Sequence, residues 1–391
     1  MSELHLLAQA AGSFPVRQIL TKRLKPDPKL FIGSGKVEEI RAIMLQEEAQ
    51  IAIFNNALSP AQQRNLERSL ERHVIDRTSL ILDIFAQRAK SHIGQVQVEL
   101  ANVRYRLSRL VRAWSHLERQ KGGIGLRGGP GETQMELDRR MLENRAKRLG
   151  SDLGKLQKQQ ATQRRHRAKR AVFSISIVGY TNAGKSSLLN KLTNAGVLVE
   201  NALFATLDPT VRQSQTSDGR IYTLSDTVGF VRHLPHQLID AFKSTLEEVS
   251  GSDLIVHVVD GSHSDPFEQI RAVREVITEI GGAEIPEIIA INKVDIADPE
   301  MIMQILRTEP NSYAFSVRTG FGIEGLIHAI ESSLPRPKIE INTVIPYDRG
   351  DLVSAIHERG EILREEYLPE GTSLHARVDG GLAKEIEEIV R

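Results

Sequence analysis

No cysteine occurs in the 391 residues, which excludes disulfides, thiolate zinc sites and cysteine nucleophiles. No run of about 18 apolar residues occurs either, so no membrane span is expected. The opening Met1-Ser2-Glu3-Leu4-His5 has neither a basic nor an apolar stretch, and no signal peptide is expected. Net charge is almost absent: 51 Lys and Arg against 50 Asp and Glu leave +1. That balance conceals local asymmetry, so charge has to be read segment by segment. A cytoplasmic location is the expectation, with a membrane-associated fraction left open.

What is present is length and an ordinary soluble composition. At 391 residues, 40% apolar and 26% charged, the chain is too long for one core and implies roughly two to four domains.

The chain is organised around Gly179-Tyr180-Thr181-Asn182-Ala183-Gly184-Lys185-Ser186. It fits the phosphate-binding pattern G-x-x-x-x-G-K-[ST] at every fixed position. A β-rich stretch from Val172 to Val178 precedes it, and Ser187 to Leu192 after it reads as a helix. Strand, glycine loop and helix is the order that aims backbone N–H groups and the positive helix end at phosphates. Lys185 is expected to reach the β- and γ-phosphates, and Ser186 to hold Mg2+.

Three further stretches follow apolar runs. Asp226-Thr227-Val228-Gly229 places an acid where a strand ends, suited to water-mediated Mg2+ and γ-phosphate sensing. Asn292-Lys293-Val294-Asp295 offers a carboxylate that accepts both N–H donors of guanine, a pair that adenine lacks. Ser316-Val317-Arg318 can place a backbone N–H at guanine O6. Four such matches in order identify a guanine nucleotide site, with Lys185, Asp226 and Gly229 as its catalytic members and GTP or GDP as the bound nucleotide. Between the first two lies Phe204-Ala205-Thr206-Leu207-Asp208-Pro209-Thr210, a segment expected to touch nucleotide. A threonine here would bind Mg2+ only in the GTP state. Thr206 and Thr210 both qualify, and spacing does not choose. Phe230 follows Gly229, where many GTPases carry a water-orienting glutamine. Phenylalanine cannot do this, so intrinsic hydrolysis is expected to be slow.

Residues 1–87 alternate helix and strand patterns, with strands expected at Val16 to Leu24, Leu30 to Ile32, Ile51 to Phe54 and Val74-Ile75. They read as a small α/β unit with a mostly parallel sheet. Gly33-Ser34-Gly35-Lys36 lacks the rest of a phosphate-loop pattern and reads as a glycine turn opening a helix, while ATP use by residues 1–87 is left open. Residues 88–170 change texture. Val96, Leu100, Val103, Leu107, Leu110, Trp114 and Leu117 step by three or four, as do Leu137, Met141, Leu142, Leu149, Leu153 and Leu156. Two long helices in an antiparallel hairpin are expected over Ser91 to Lys121 and Met135 to Gln163. Their joint, residues 122–131, holds six glycines and one arginine. Arg104, Arg106, Arg109, Arg112, Arg119 and Lys121 before it and Arg139, Arg140, Arg145, Lys147 and Arg148 after it flank the joint, and Arg164 to Arg170 is the most basic run. Basic helices with an exposed tip fit RNA contact. Residues 171–335 form the nucleotide domain, a mostly parallel sheet with helices on both faces. Residues 336–391 read as a small α+β domain. No oligomer is expected.

The chain resembles ribosome-associated GTPases of the HflX family. The residues that carry this are Gly122-Gly123-Ile124-Gly125, Arg127, Pro130 to Gln134, Asp138-Arg139-Arg140, Asp83 to Ala89 and Phe204 to Thr210. The resemblance implies an N-terminal α/β domain, a helical hairpin and a G domain. It implies binding to the large ribosomal subunit and its rRNA, and splitting of stalled ribosomes. It assigns Mg2+ to Ser186 and Thr206, and the tip to the peptidyl-transferase region. The tip is one glycine longer than the usual pattern, and the strand that usually opens the family is not seen before the first helix. Two other readings remain in play, a ribosome-assembly switch and a membrane or scaffold GTPase. A tRNA-modifying enzyme is disfavoured by the missing cysteine.

Overall fold

The computed structural model describes residues 3–114, 130–169, 172–193, 203–204, 210–216, 220–231, 248–334, 339–378, 382–383 and 385–386. The chain divides into two compact units: Met1–Gln157 with Asn201–Asp208 and His233–Lys243, and Lys158–Glu200 with Pro209–Arg232 and Ser244–Arg391.

In the first unit, helices α1 (Glu3–Ala10) and α2 (Ser34–Gln46) lead to strand β1 (Ile51–Phe54), helix α3 (Pro60–Leu70), strand β2 (His73–Asp76) and helix α4 (Arg77–Arg88). β1 and β2 pair in parallel, Ile51 opposite His73 and Phe54 opposite Asp76. Helix α3 starts where its sequence dictates. Ser59 Oγ accepts from the Gln62 N–H, the Gln62 side chain accepts from the Ser59 N–H, and Pro60 sits at the first turn. Val37, Met44, Leu58, Leu66, Leu70 and Val74 close this core.

The strands expected at Val16 to Leu24 and Leu30 to Ile32 do not form. Residues 14–23 are irregular, and Phe14 and Leu20 are 93% and 92% exposed. Phe31 only closes a tight turn, with Asp27 and Phe31 exchanging backbone hydrogen bonds and Phe31 at φ 65. Apolar alternation makes a strand only when a neighbour completes the ladder, and the described residues supply none here.

The hairpin helices are α5 (His92–Trp114) and α6 (Pro130–Lys169), the second 40 residues long and so about 60 Å. Val96 and Leu100 pack against Leu149, Leu153 and Leu156, which is the expected seam. Pro130 and Gly131, expected in the joint, open α6 instead; residues 122–129 lie outside the described residues, as do Trp114's side chain, Leu117, Lys121 and Arg170.

One buried carboxylate joins these elements. Asp76 accepts from the Leu58 N–H at 3.1 Å, the Ser79 N–H at 2.9 Å, the Tyr105 hydroxyl at 2.8 Å and Arg109 Nη2 at 2.5 Å. It thereby ties the loop after β1, the start of α4 and the flank of α5.

The second unit holds a six-stranded sheet of β3 (Phe173–Gly179), β4 (Thr210–Gln215), β5 (Ile221–Asp226), β6 (Leu254–Asp260), β7 (Glu287–Asn292) and β8 (Ser312–Ala314), in the order β4-β5-β3-β6-β7-β8. Only the β4–β5 pair is antiparallel; β3, β5, β6, β7 and β8 run parallel. Parallel strands covered on both faces become continuous apolar runs, as Leu254 to Val259 shows with every residue buried. The covering helices are α7 (Lys185–Thr193), α8 (Pro266–Glu279), α9 (Pro299–Thr308) and α10 (Ile323–Ser333). A three-stranded antiparallel sheet follows, made of β9 (Ile339–Ile345), β10 (Glu361–Leu368) and β11 (Gly371–Val378) in the order β10-β11-β9. Helix α11 (Gly350–Arg359) packs on it through Leu352 and Ile356.

Asp76→Ala should unfold the first unit at lower denaturant, by about 3–5 kcal/mol, because it leaves the Arg109 guanidinium half-buried without its anion. Chemical denaturation followed by tyrosine fluorescence checks this; a loss under about 1 kcal/mol would show the cluster to be peripheral.

Candidate guanine nucleotide site

Strand β3 is central in its sheet, flanked by β5 and β6, and delivers the loop from Gly179 to Ser186 at its C-terminal end. Leu188 and Leu189 of α7 are buried in the core beside Ile175 and Ile177. That packing fixes the N-terminus of α7 over the loop, where the first N–H groups lack partners within the helix. Gly184 has φ +102, and a Cβ there would sit 2.2 Å from Asn292 Nδ2. No other residue fits. Asn182 is exposed at φ 62, while Tyr180, Thr181 and Ala183 are buried.

Asn292 explains the crowding. Its Nδ2 donates to the Ala183 carbonyl at 2.8 Å, and its Oδ1 accepts from the Val317 N–H at 3.1 Å. One amide thus fastens the phosphate loop to the base loop. On that base side, the Ser316 hydroxyl donates to Asp295 Oδ1 at 2.6 Å, and Arg318 lies 2.5 Å from Asp295 Oδ2. The Ser316 hydrogen bond, and the Arg318 charge behind it, hold the Asp295 carboxyl below its ordinary range. Asp295 is therefore an anion with acceptor oxygens, as guanine N1–H and N2–H2 require. Lys293, at φ 64, donates to Asp260 Oδ2 at 2.6 Å. Val294 packs on a side cluster with Ile291 and Ile302.

On the phosphate side, Lys185 is buried and donates to the Tyr180 carbonyl at 2.9 Å. Burial pulls its pKa down from 10.5 to about 8, against the opposing pull of Asp226. The Ser186 hydroxyl donates to Asp226 Oδ2 at 2.6 Å. Thr227 is wholly buried and donates to the Ile177 carbonyl at 2.8 Å; Val228 is buried beside it. Gly229 lies against the loop: a Cβ there would be 2.7 Å from Thr181 Cγ2 and 3.0 Å from Lys185 Nζ. Phe230 is buried, donates its N–H to the Gly179 carbonyl and accepts from the Thr181 N–H.

The structure brings together the loop 179–186, Asp226 to Gly229, Asn292 to Asp295 and Ser316 to Arg318. Ala205, Thr206, Leu207 and Asp208 lie outside the described residues. Phe204 is described; its ring is buried edge to face on Phe85 of α4. Thr210 begins β4 as the ladder partner of Asp226. Sequence reasoning missed Asp260, although it ends strand β6 as Asp226 ends β5. It also missed the backbone bridge of Phe230, which no side-chain pattern could reveal.

The residues fit a Mg2+-bound nucleoside phosphate. The Ser186 hydroxyl and the Asp226 carboxylate form a hard oxygen set. Thr181 Oγ1, buried in the loop, has no hydrogen-bond partner among the described residues. Lys185 is a buried cation whose counter-ion a phosphate would be.

Fold and site together define a phosphate-loop GTPase. The model for 50S ribosome-binding GTPases matches residues 174–293, that for the GTP-binding GTPase N-terminal region residues 1–86, and that for the GTP-binding GTPase middle region residues 88–167. GTPase HflX of Escherichia coli (strain K12) is 45% identical over 381 residues, 97% of this chain and 89% of that protein. GTPase HflX of Magnetococcus marinus is 41% identical over 387 residues, covering 98% and 89%. A GTP-binding protein from Sulfolobus solfataricus, solved in complex with GDP, is 26% identical, with a TM-score of 0.45 over 85% of this chain and 94% of that one. The chain belongs to the HflX family of GTPases. No helix among the described residues is long and apolar enough to cross a membrane.

Nucleotide phosphates should draw Lys185 fully into its charged form. Binding of GDP at pH 8 should therefore take up about half a proton, and binding at pH 6.5 almost none, because Lys185 is already charged there. Calorimetric titration in buffers of different ionisation enthalpy measures this. Buffer-independent heats at pH 8 would contradict the buried-lysine account.

Proposed function

We propose that this GTPase acts on the large ribosomal subunit. It binds there with GTP and Mg2+, splits or rescues stalled ribosomes in the cytoplasm, and hydrolyses GTP fast only when the subunit completes its site. The observation that carries this reading is Phe230. Hydrolysis needs groups preorganised toward the attacking water and the transferring phosphoryl. After Gly229 the chain offers a buried phenyl ring whose backbone is bound to the phosphate loop. The missing group has to come from a partner or from another residue.

The hairpin supports the ribosome as that partner. Arg104, Arg106, Arg140, Lys147 and Arg148 are exposed on α5 and α6, along a helix of 40 residues. Arginine and lysine along a long rod suit a phosphate backbone. Not every cation is spare: Arg139 pairs with Glu143, Arg145 with Glu99 and Arg109 with Asp76. The 50S ribosome-binding family model points the same way. For Mg2+ we assign Ser186 and Thr206. Thr210 is committed to the β4–β5 ladder, which favours Thr206 as the switch threonine.

Purified large subunits should raise GTP turnover by more than about tenfold, about 1.4 kcal/mol of barrier. A variant lacking residues 122–131 should lose most of that gain. If the deletion variant is stimulated as fully as the intact chain, the tip is not the coupling element. If neither responds, the ribosome-assembly switch becomes the better account.

A further inference from the structure

Asp260 belongs to none of the four stretches that the sequence marks for nucleotide, yet it sits at the root of one of them. Strands β6 and β7 run parallel, and their ladder sets Asp260 directly beside Asn292. The Gly261 N–H donates to the Asn292 carbonyl at 2.9 Å, which carries the pairing past the strand end. Lys293, the next residue, turns back to this corner. Its Nζ donates to Asp260 Oδ2 at 2.6 Å. The two side chains are only 27% and 16% exposed, so solvent and salt screen the pair less than an open surface pair. The other oxygen of Asp260 is committed as well. Oδ1 accepts from the Ser262 N–H at 3.0 Å and from the Ser262 hydroxyl at 2.6 Å. The carboxylate is thus fixed by its own loop and offers one oxygen to the lysine.

What the lysine holds is a backbone turn. Lys293 has φ 64. A long side chain in the left-handed region is uncommon, and such a backbone persists where its surroundings over-determine it. The Lys293 carbonyl accepts from the Ile296 N–H at 3.1 Å, which closes a turn with Asp295 inside it. On the other side stands Asn292, which is held to the Ala183 carbonyl and the Val317 N–H. Relaxation of residue 293 to negative φ would swing the chain that follows and carry Asp295 away from its place beside Ser316.

We propose that Asp260 is a positioning residue for guanine recognition: it holds the Lys293 ammonium, and so keeps the left-handed turn that sets Asp295 relative to Asn292. It acts through Lys293 and needs no contact with the base. The proposal rests on Asp295 as the base reader. GDP and GTP carry the same base, so both depend on Asp260 alike.

The test uses the full-length chain with Asp260→Asn, Lys293→Gly, the double variant and Asp295→Asn. Affinities for GDP and for a non-hydrolysable GTP analogue with Mg2+ are measured by fluorescence, and a thermal melt without nucleotide confirms folding. Asp260→Asn keeps the side chain's shape and removes its charge. It should weaken GDP and the analogue by the same factor, about fivefold to tenfold. Lys293→Gly removes the ammonium and adopts the left-handed turn without strain. In that background Asp260→Asn should add less than about twofold, because the contact it breaks is already gone. An equal loss in both backgrounds overturns the proposal, since Asp260 would then act through Ser262 and its own loop. If Asp260→Asn fails to fold, Asp260→Ser takes its place with the same expectations. Unchanged GDP affinity in Asp260→Asn, while Asp295→Asn weakens it, overturns the positioning role alone. A silent Asp295→Asn overturns the base-reader assignment and the proposal with it.

Discussion

A buried cation sets the terms for this molecule. The Lys185 ammonium is buried at the start of α7, where it donates to the Tyr180 carbonyl and feels the Asp226 carboxylate. Burying a cation is costly unless an anion joins it. The loop around it makes room for an anion and for nothing larger in the backbone: Gly184 is pressed on Asn292, and Gly229 on Thr181 and Lys185. A phosphate group satisfies the lysine, the loop N–H groups and the positive end of α7 at once. The Ser186 hydroxyl and Asp226, already hydrogen-bonded, supply hard oxygens beside it.

The other half of the site depends on Asn292, whose single amide spans the Ala183 carbonyl and the Val317 N–H. Phosphate recognition and base recognition are therefore mechanically one element. Asp295 is kept an anion by Ser316 and Arg318, so the base reader stands ready before guanine arrives. The hydrolytic half is less complete. Phe230 spends its backbone on Gly179 and Thr181 and buries its side chain, and a phenyl ring has no group with which to orient water.

Much of this is legible in the sequence wherever a rule is local. Gly179 to Ser186, the Ser59–Pro60–Gln62 cap and the three-and-four stepping of Val96, Leu100, Leu149 and Leu153 each need only a few residues to be read. The length of α6 is harder, since Gly150 and Gly154 argue against a helix, yet nothing crowds them and the helix runs through both. The irregular stretch from Phe14 to Leu20 misleads for a different reason. Its alternation is that of a strand, but a strand exists only through its neighbour, and pairing is not local. The edge-to-face contact of Phe204 with Phe85 of α4 is of the same non-local kind, since nothing in the motif around Phe204 names its partner. Local chemistry is written in the chain; which distant surface receives a ring is not.

The central claim is that nucleotide state governs attachment to the large ribosomal subunit. Cosedimentation measures it most directly, with purified large subunits and the protein loaded either with GDP or with a non-hydrolysable GTP analogue. The account predicts that the analogue-bound protein pellets with the subunits and the GDP-bound protein stays in the supernatant. Equal pelleting in both states, or in neither, would contradict it.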